Sequence, residues 1–257
     1  MTKIVLVVVA LFAAALVAVG AVGIFAFSAA PVFAWSGAAS LAPSGRIERQ
    51  SRPVGDFTAV AFAIPGRLAL RQGPATALDI EADDNLLAEI ESVVEDGTLK
   101  LRFRRNVDVK GSPVLRLSVA APALASVSIA GSGDVEAGPL KARDFSIAVA
   151  GSGDARFADL QADAVKVSIA GSGDVRAAGA AATLTARIAG SGDIDASRLK
   201  AREASISIAG SGDARLWATE SLTARVAGSG DVLYYGDAKL TRSVAGSGEV
   251  TRLGSAP

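Results

Sequence analysis

A series of acidic residues at a nearly constant spacing is the feature of this sequence with the clearest chemical potential. Each acid ends a Gly-Ser-Gly-Asp tetrad, except that the last tetrad ends in Glu. The seven acids are Asp134, Asp154, Asp174, Asp193, Asp213, Asp231 and Glu249. Carboxylate oxygens are ligands that Ca²⁺ prefers, so an aligned row of them is a candidate calcium site. The same carboxylates could instead accept hydrogen bonds from backbone N–H groups or from the tetrad serines, as Asp does in turns.

The composition excludes most other site chemistry. The 257 residues include no Cys and no His, which excludes Cys nucleophiles, Ser-His-Asp triads and the usual zinc sites. The 26 Lys and Arg balance the 26 Asp and Glu, and this zero net charge argues against a nucleic-acid partner. The tetrad also lacks the Lys-Ser/Thr of a phosphate-binding loop. We therefore expect no catalytic residues and no cofactor, with Ca²⁺ as the one candidate ion.

Three aromatic residues near the late repeats could contact a ligand. Aromatic rings stack on sugar rings, and aromatic residues are only 5% of this chain. Such residues also fill corners and interfaces, and both interpretations stay open at this point. The candidates for ligand stacking are Trp217, Tyr234 and Tyr235.

The tetrads belong to a repeat that must position the acids. Successive tetrads begin 20, 20, 19, 20, 18 and 18 residues apart, and Ala precedes each one. Apolar residues, mostly Ile and Val, lie two and four residues before the tetrads and directly after each acid, with Arg242 in the last copy as the exception, and this is the alternation of a β-strand. A lone strand cannot bury its apolar face, so neighbouring copies must stack. The predicted fold is all-β, a right-handed parallel β-helix with one coil per repeat.

The phase of this alternation predicts which residues face outward. If it continues through the tetrad, both glycines point inward with Ile and Val, while Ala, Ser and the acid point outward. A glycine there lets the wall bend or lets another backbone approach closely.

Residues 46–125 lack the tetrad, and we expect them to form an irregular N-terminal cap and the first coils. Asn85–Glu95 has the apolar spacing of a short helix, and Asp96-Gly97 resembles a hairpin turn. Residues 126–253 form the repeat β-helix and 254–257 a tail. In the last copy Arg242 and Arg252 replace small, aliphatic or aromatic residues, which predicts a charged C-terminal edge. Candidate strands in the cap are Phe57–Ile64, Arg67–Arg71, Ala77–Ala82, Thr98–Arg104 and Val114–Ala120.

The N-terminus has the composition of a membrane-targeting segment. Residues 4–34 carry no charge, which is longer than a secretory hydrophobic region and long enough for a spanning helix. One interpretation is a hydrophobic helix over about Ile4–Phe27 that anchors the chain in the membrane. The other is a signal peptide cleaved after Ala34. Residues 35–45 then form a linker, and either interpretation places the rest outside the cytoplasm, in the periplasm or at the cell surface.

The AGSGD repeats resemble those of the bacterial DUF2807 family, also called the putative autotransporter adhesin head GIN domain. The resemblance covers roughly Arg46 to Leu253 and includes Phe57–Val60, Ile80–Leu87, Gly97–Leu101 and the SIAGSGDV units. It implies a β-helical, extracytoplasmic envelope domain with no established catalytic activity. No site residues follow from it.

Repeat and resemblance together predict a non-catalytic cell-envelope module, an adhesin or structural surface-binding domain for a glycan or protein ligand. The alternative is a polysaccharide-cleaving β-helix enzyme. Such an enzyme needs a coil whose carboxylates and basic residues depart from the repeat and line a cleft, whereas a binding module has a regular face.

Overall fold

The computed structural model describes residues 39–104, 107–111 and 113–257. The hydrophobic segment predicted as an anchor or a signal peptide lies outside them. Within the described ranges, no helix has the length and apolar character needed to cross a membrane.

Residues from Ser126 onward form a stack of parallel coils, each of them an almost continuous bent strand. Every coil pairs with the next in register at the tetrads, so that Gly151 lies opposite Gly171 and Gly171 opposite Gly190. Between the tetrads the register shifts, for example between Phe157 and Leu160, which accommodates the unequal lengths of the repeats. The predicted parallel stack with aligned tetrads is confirmed, and the right-handed winding stays a prediction. The strands of this part are β10 Ser126–Gly131, β11 Asp134–Gly151, β12 Ala155–Gly171, β13 Val175–Gly190, β14 Ile194–Gly210, β15 Ala214–Gly228, β16 Val232–Tyr235, β17 Lys239–Gly246 and β18 Val250–Gly254.

The hydrophobic core runs along the inside of the stack. The residues two before each tetrad, from Ile129 to Val226, are at most 2% exposed, and those four before are equally buried as far as Ala224. Phe145 and Phe157 pack edge to face with ring centroids 5.5 Å apart. Each coil covers the apolar edge of the next, which is why the period-two pattern of one copy needs its neighbours.

The N-terminal part extends the stack and then closes it. β3 (Ala59–Ala63) pairs in parallel with β10, and β4 (Arg67–Gln72) with β11, which adds one more coil. β7 (Thr98–Phe103) then pairs in parallel with β3, and β9 (Leu115–Ala121) with β4. Antiparallel strands complete this part, since β6 (Ile90–Glu95) pairs with β7, β5 (Ala77–Asp83) with β9, and β2 (Ile47–Arg52) with β5. These strands lie where the sequence predicts the first coils and the cap, and the predicted domain bounds stay a prediction. The elements of this part are β1 Ala39–Leu41, β2 Ile47–Arg52, β3 Ala59–Ala63, β4 Arg67–Gln72, β5 Ala77–Asp83, α1 Asp84–Leu87, β6 Ile90–Glu95, β7 Thr98–Phe103, β8 Val107–Val109 and β9 Leu115–Ala121.

The prediction of a helix over Asn85–Glu95 is mostly wrong. Only the single turn α1 is helical, and Ile90–Glu95 is strand β6. Isolated short helices are marginal in water, and pairing with β7 stabilises the extended form of the β-branched residues in this segment. The hairpin turn at Asp96-Gly97 is confirmed, and φ is +50° and +71° at its two residues. Within the predicted linker, β1 forms a short parallel pair with β8.

The last coil is an open end, as the sequence predicts. Arg242 lies opposite the buried Ala224, and Val244 is 38% exposed where its equivalents are buried. Nε of Arg252 donates a 2.7 Å hydrogen bond to the carbonyl of Gly236, and its guanidinium also pairs with Asp237. Charged side chains at the exposed strand edge disfavour pairing with another chain.

Candidate functional site

The tetrads form a corner that divides the outer surface of the stack. Each strand ends at the first glycine, the chain bends at Ser, and the next strand begins at or just after the acid. At Gly190 φ is +132°, a conformation that L side chains rarely adopt, and a Cβ there would lie 2.2 Å from the carbonyl oxygen of Gly171. A Cβ on Gly192 would lie 2.2 Å from the carbonyl oxygen of Gly173. Both glycine columns therefore allow the backbones of successive corners to stack closely.

The prediction that both glycines point inward is half wrong. The second glycine is buried in the first six tetrads and partly exposed in the last, at Gly248, whereas the first glycine is partly or fully exposed in all seven. The positive φ of the first glycine interrupts the regular in-and-out alternation, which the sequence prediction assumed to continue.

The tetrad acids are connected by hydrogen bonds along the stack. From Asp154 onward, the backbone N–H of each acid donates a hydrogen bond to Oδ1 of the acid one coil earlier. The N···O distance is 3.2 Å between Asp154 and Asp134 at the first of these bonds, and 2.8 Å between Glu249 and Asp231 at the last. In the first coil Arg67 occupies this column, and the N–H of Asp134 donates to the carbonyl of Gly66 instead. The interpretation that the carboxylates accept backbone hydrogen bonds is confirmed.

Calcium binding by the acid column is a prediction of the sequence that the arrangement of the acids does not favour. In the part of the chain that the structure describes, no three acidic side chains converge closely enough to hold a metal ion. From Asp134 to Asp231, one carboxylate oxygen of each acid already accepts a backbone N–H.

A second column beside the acids was missed by the sequence analysis. Two residues after the acids, on the same outward face, lie Arg156, Arg176 and Arg215 together with Glu136 and Asp195. A guanidinium nitrogen of Arg176 lies 3.2 Å from a carboxylate oxygen of Asp174. This ion pair reduces the repulsion between Asp174 and its neighbouring acids. The period-two pattern, continued past the acid, would have found them.

The three predicted stacking residues have different environments. Tyr234 is only 6% exposed and belongs to the core. Contrary to the sequence prediction, its ring is therefore not available to a ligand. Trp217 and Tyr235 are half-buried and lie opposite each other on neighbouring coils. Nζ of Lys200 lies 5.5 Å from the centroid of the Trp217 ring. The stacking prediction therefore narrows to Trp217 and Tyr235.

An open depression of about 380 Å³ lies in the cap, between β2 and β6. Arg52 lines it and donates hydrogen bonds to the carbonyls of Ile90 and Leu87, at 2.6 and 2.9 Å. Burial, and then the charge of Arg104, lower the pKa of Arg52. Glu91, the acid that lines the depression, accepts a 2.7 Å bond from Nε of Arg102. Arg52 thus joins β2 to β6, and the acid is part of an ion pair.

The outward face on the other side of the corner is lined by small side chains. It consists of the columns one, three and five residues before the tetrads, which continue into β3. Ala, Ser and Thr fill these columns except at Lys166, Arg187 and Arg225. The columns of small residues repeat from coil to coil.

These features define a parallel β-solenoid whose outer faces repeat from coil to coil. The chain belongs to the DUF2807 family, described as putative auto-transporter adhesin, head GIN domain, whose model matches residues 56–238. No curated protein matches the sequence significantly.

Solved structures of bacterial proteins share this fold. A putative adhesin from Bacteroides fragilis is 28% identical with a TM-score of 0.77, over 83% of this chain and 100% of that one. A putative lipid binding protein from Parabacteroides distasonis is 26% identical with a TM-score of 0.71, over 83% and 99%. A putative adhesin from Parabacteroides merdae is 23% identical with a TM-score of 0.67, over 84% of this chain and 100% of that one. This third likeness supports the fold alone.

Proposed function

We propose that this chain is a non-catalytic binding module of the bacterial cell envelope that adheres through the outer faces of its solenoid. The observation that carries the proposal is the regularity of these faces, which repeat small and charged residues in register from coil to coil. Membership of an adhesin-like family supports the same function and an extracytoplasmic location. The N-terminal hydrophobic segment supports secretion or attachment to the membrane.

The arrangement of the acids favours binding over catalysis. Glycoside-cleaving enzymes use a pair of carboxylates placed on either side of one scissile bond. Here the acids form a uniform column whose members contact each other's backbone N–H groups. No member of the column has an environment that would assign it a distinct role as acid or base.

The test is a binding and turnover screen of the full-length chain against bacterial and host glycans and surface proteins. We expect saturable binding to at least one surface ligand without release of any product. The thermally unfolded chain serves as the control for non-specific adhesion.

Turnover of any polysaccharide would overturn the non-catalytic assignment. Absence of binding to every glycan and protein surface would overturn the adhesive one. Protease treatment of intact cells tests the location, since an extracytoplasmic domain is degraded once the protease reaches its compartment.

A further inference from the structure

The outer surface of the repeat coils separates its charges at the glycine corner. The face after the corner, named here the acidic face, carries nine acids, which are the seven tetrad acids with Glu136 and Asp195. The same face carries three basic residues, Arg156, Arg176 and Arg215. The face before the corner, named here the cationic face, consists of the three columns of small residues and carries Lys166, Arg187 and Arg225 with no acid. A chain with zero net charge thus has two faces of opposite sign.

The three cations of the cationic face are exposed, and none forms an ion pair with any residue that the structure describes. Arg187 and Arg225 share one column two coils apart, which corresponds to about 10 Å at the usual spacing of strands. Lys166 lies one coil before Arg187, in the adjacent outward column. The three charges therefore follow the stacking axis in a narrow strip, and the adjacent outward column carries the acids Asp144 and Glu203.

The floor between these cations offers hydroxyl groups and no obstruction. Ser168, Ser207 and Ser243 alternate with the arginines in one column, and Thr185 and Ser205 follow Lys166 in the other. Hydroxyls both donate and accept hydrogen bonds, which suits a ligand rich in hydroxyl and carboxylate groups. An extended chain laid along the strip would meet a charge or a hydroxyl at each coil.

We propose that the cationic face binds a linear acidic polysaccharide along the stacking axis, through Lys166, Arg187 and Arg225. This inference rests on the proposed adhesive function and names its ligand class. The guanidinium groups bind the carboxylate or sulfate groups of the glycan, and the serines and threonines bind its hydroxyls.

The composition of the cationic face favours a polysaccharide over other polyanions. Single-stranded nucleic acids are held by aromatic side chains on which bases stack, and these columns contain none. Surface attachment to a membrane uses apolar side chains that enter the lipid. The large apolar side chains exposed in the described residues, Ile47, Val244 and Leu253, lie outside the columns of this face.

The test compares two variants of the full-length chain with equal net charge. The cationic-face variant carries Lys166→Thr, Arg187→Ser and Arg225→Ser, residue types that neighbouring coils have in the same columns. The control carries Arg156→Thr, Arg176→Thr and Arg215→Thr on the acidic face, where Thr251 occupies the same column. Because both sets of replacements occur naturally in the repeat, we expect both variants to fold, which circular dichroism verifies.

Binding is measured by calorimetry to polygalacturonate, with neutral dextran, polyadenylate and phosphatidylglycerol vesicles as comparison probes. We expect the unmodified chain to bind polygalacturonate in a salt-dependent manner and not to bind dextran. The cationic-face variant should bind roughly 10- to 100-fold more weakly, the sum of three exposed ion pairs, and the control within about threefold of the unmodified chain.

Equal loss in both variants would overturn the inference, because net charge alone would then explain the binding. Stronger binding of polyadenylate or vesicles through the same three residues would also overturn it by assigning another ligand class. If the chain binds a neutral glycan or a protein and both variants bind it equally well, the inference fails while the proposed function stands. Absence of binding to every probe and surface overturns both.

Discussion

The backbone N–H of Asp213 donates a 2.8 Å hydrogen bond to Oδ1 of Asp193, its counterpart one coil earlier. The same bond recurs from coil to coil, so most of these acids are both the donor to one neighbour and the acceptor for the other. Like charges at about 4.8 Å repel each other by about 1 kcal/mol in water. The repeated hydrogen bonds, and at Asp174 the ion pair with Arg176, offset that repulsion, and the hydrogen bonds connect each coil to the next.

Two substitutions of Asp193 distinguish the contribution of its hydrogen bond to stability from the contribution of its charge. Asp193→Asn keeps the acceptor oxygen and removes one of the repelling charges, so we expect stability within about 0.5 kcal/mol of the unmodified chain. Asp193→Ala removes the acceptor for the N–H of Asp213 and should cost about 1 kcal/mol. Urea unfolding measures both. Equal losses in the two variants would show that the charge matters and the acceptor does not.

The corner glycines should tolerate no side chain. A Cβ at Gly192 would meet the carbonyl oxygen and the nitrogen of Gly173, and backbone atoms cannot move aside as the end of a flexible side chain can, so Gly192→Ala should cost about 3 kcal/mol. Gly138→Ala is the matched control, because a Cβ there meets nothing within 4 Å. We expect the control to change the free energy of unfolding by less than about 0.5 kcal/mol. Thermal unfolding compares the two, and similar melting temperatures would contradict the close stacking of the corners.

The sequence predicted the stack well because its information is local and repeated. Ile188 and Ile208 recur at the same distance from their tetrads, which determines strand, face and register together. The conformation of Gly190 could not be predicted from this repeat, because the alternation of apolar and polar residues does not indicate where φ is positive. Ile90–Glu95 was misassigned because its spacing fits a helix, while its pairing with β7 is a tertiary effect. The burial of Tyr234, in contrast, could have been read from the sequence, because it lies two residues after Val232 and the period-two alternation places both side chains inward.

Calcium should leave the melting temperature of this chain unchanged. One oxygen of each carboxylate from Asp134 to Asp231 is already engaged, and no three acids converge in the described part of the chain. Calorimetric melting in millimolar Ca²⁺ and in excess chelator checks this expectation. A rise in melting temperature with Ca²⁺ that disappears in Asp193→Asn would establish the column as a calcium site.

The pKa of Asp84 should report the integrity of the cap. The Ser44 hydroxyl is the largest influence and lowers this pKa, burial acts in the opposite direction, and the N–H of Asn85 and the guanidinium of Arg46 lower it further. Because the folded pKa is depressed, the stabilisation is present above the unfolded value of about 4 and is lost as pH falls through the folded pKa. Ser44→Ala should raise the pKa of Asp84 and move this loss to higher pH.

Carboxyl chemical shifts followed through an acid titration measure that pKa directly. Ser51→Ala is the control, since its hydroxyl donates to Asp79 in another part of the cap. An unchanged pKa of Asp84 in Ser44→Ala would show that the hydroxyl does not hold the carboxylate.

Stacking on a sugar, if it uses Trp217, should depend on that ring and not on its buried neighbour. Trp217→Leu should weaken binding of a neutral glycan found in the screen by roughly tenfold, the usual order for loss of a stacked aromatic. Tyr234→Phe should leave it unchanged, because Tyr234 lies in the core. Equal affinity of Trp217→Leu and the unmodified chain would restrict Trp217 to a structural role beside Lys200.

The stacking contact between the glycine corners of successive coils allows the length of this molecule to vary. Because every corner presents the same contact to the one above it, one more copy of 18 to 20 residues would advance the far end by about 5 Å and require no new kind of interface. Duplication or loss of a single repeat thus adjusts how far the domain reaches, while its two terminal surfaces stay as they are.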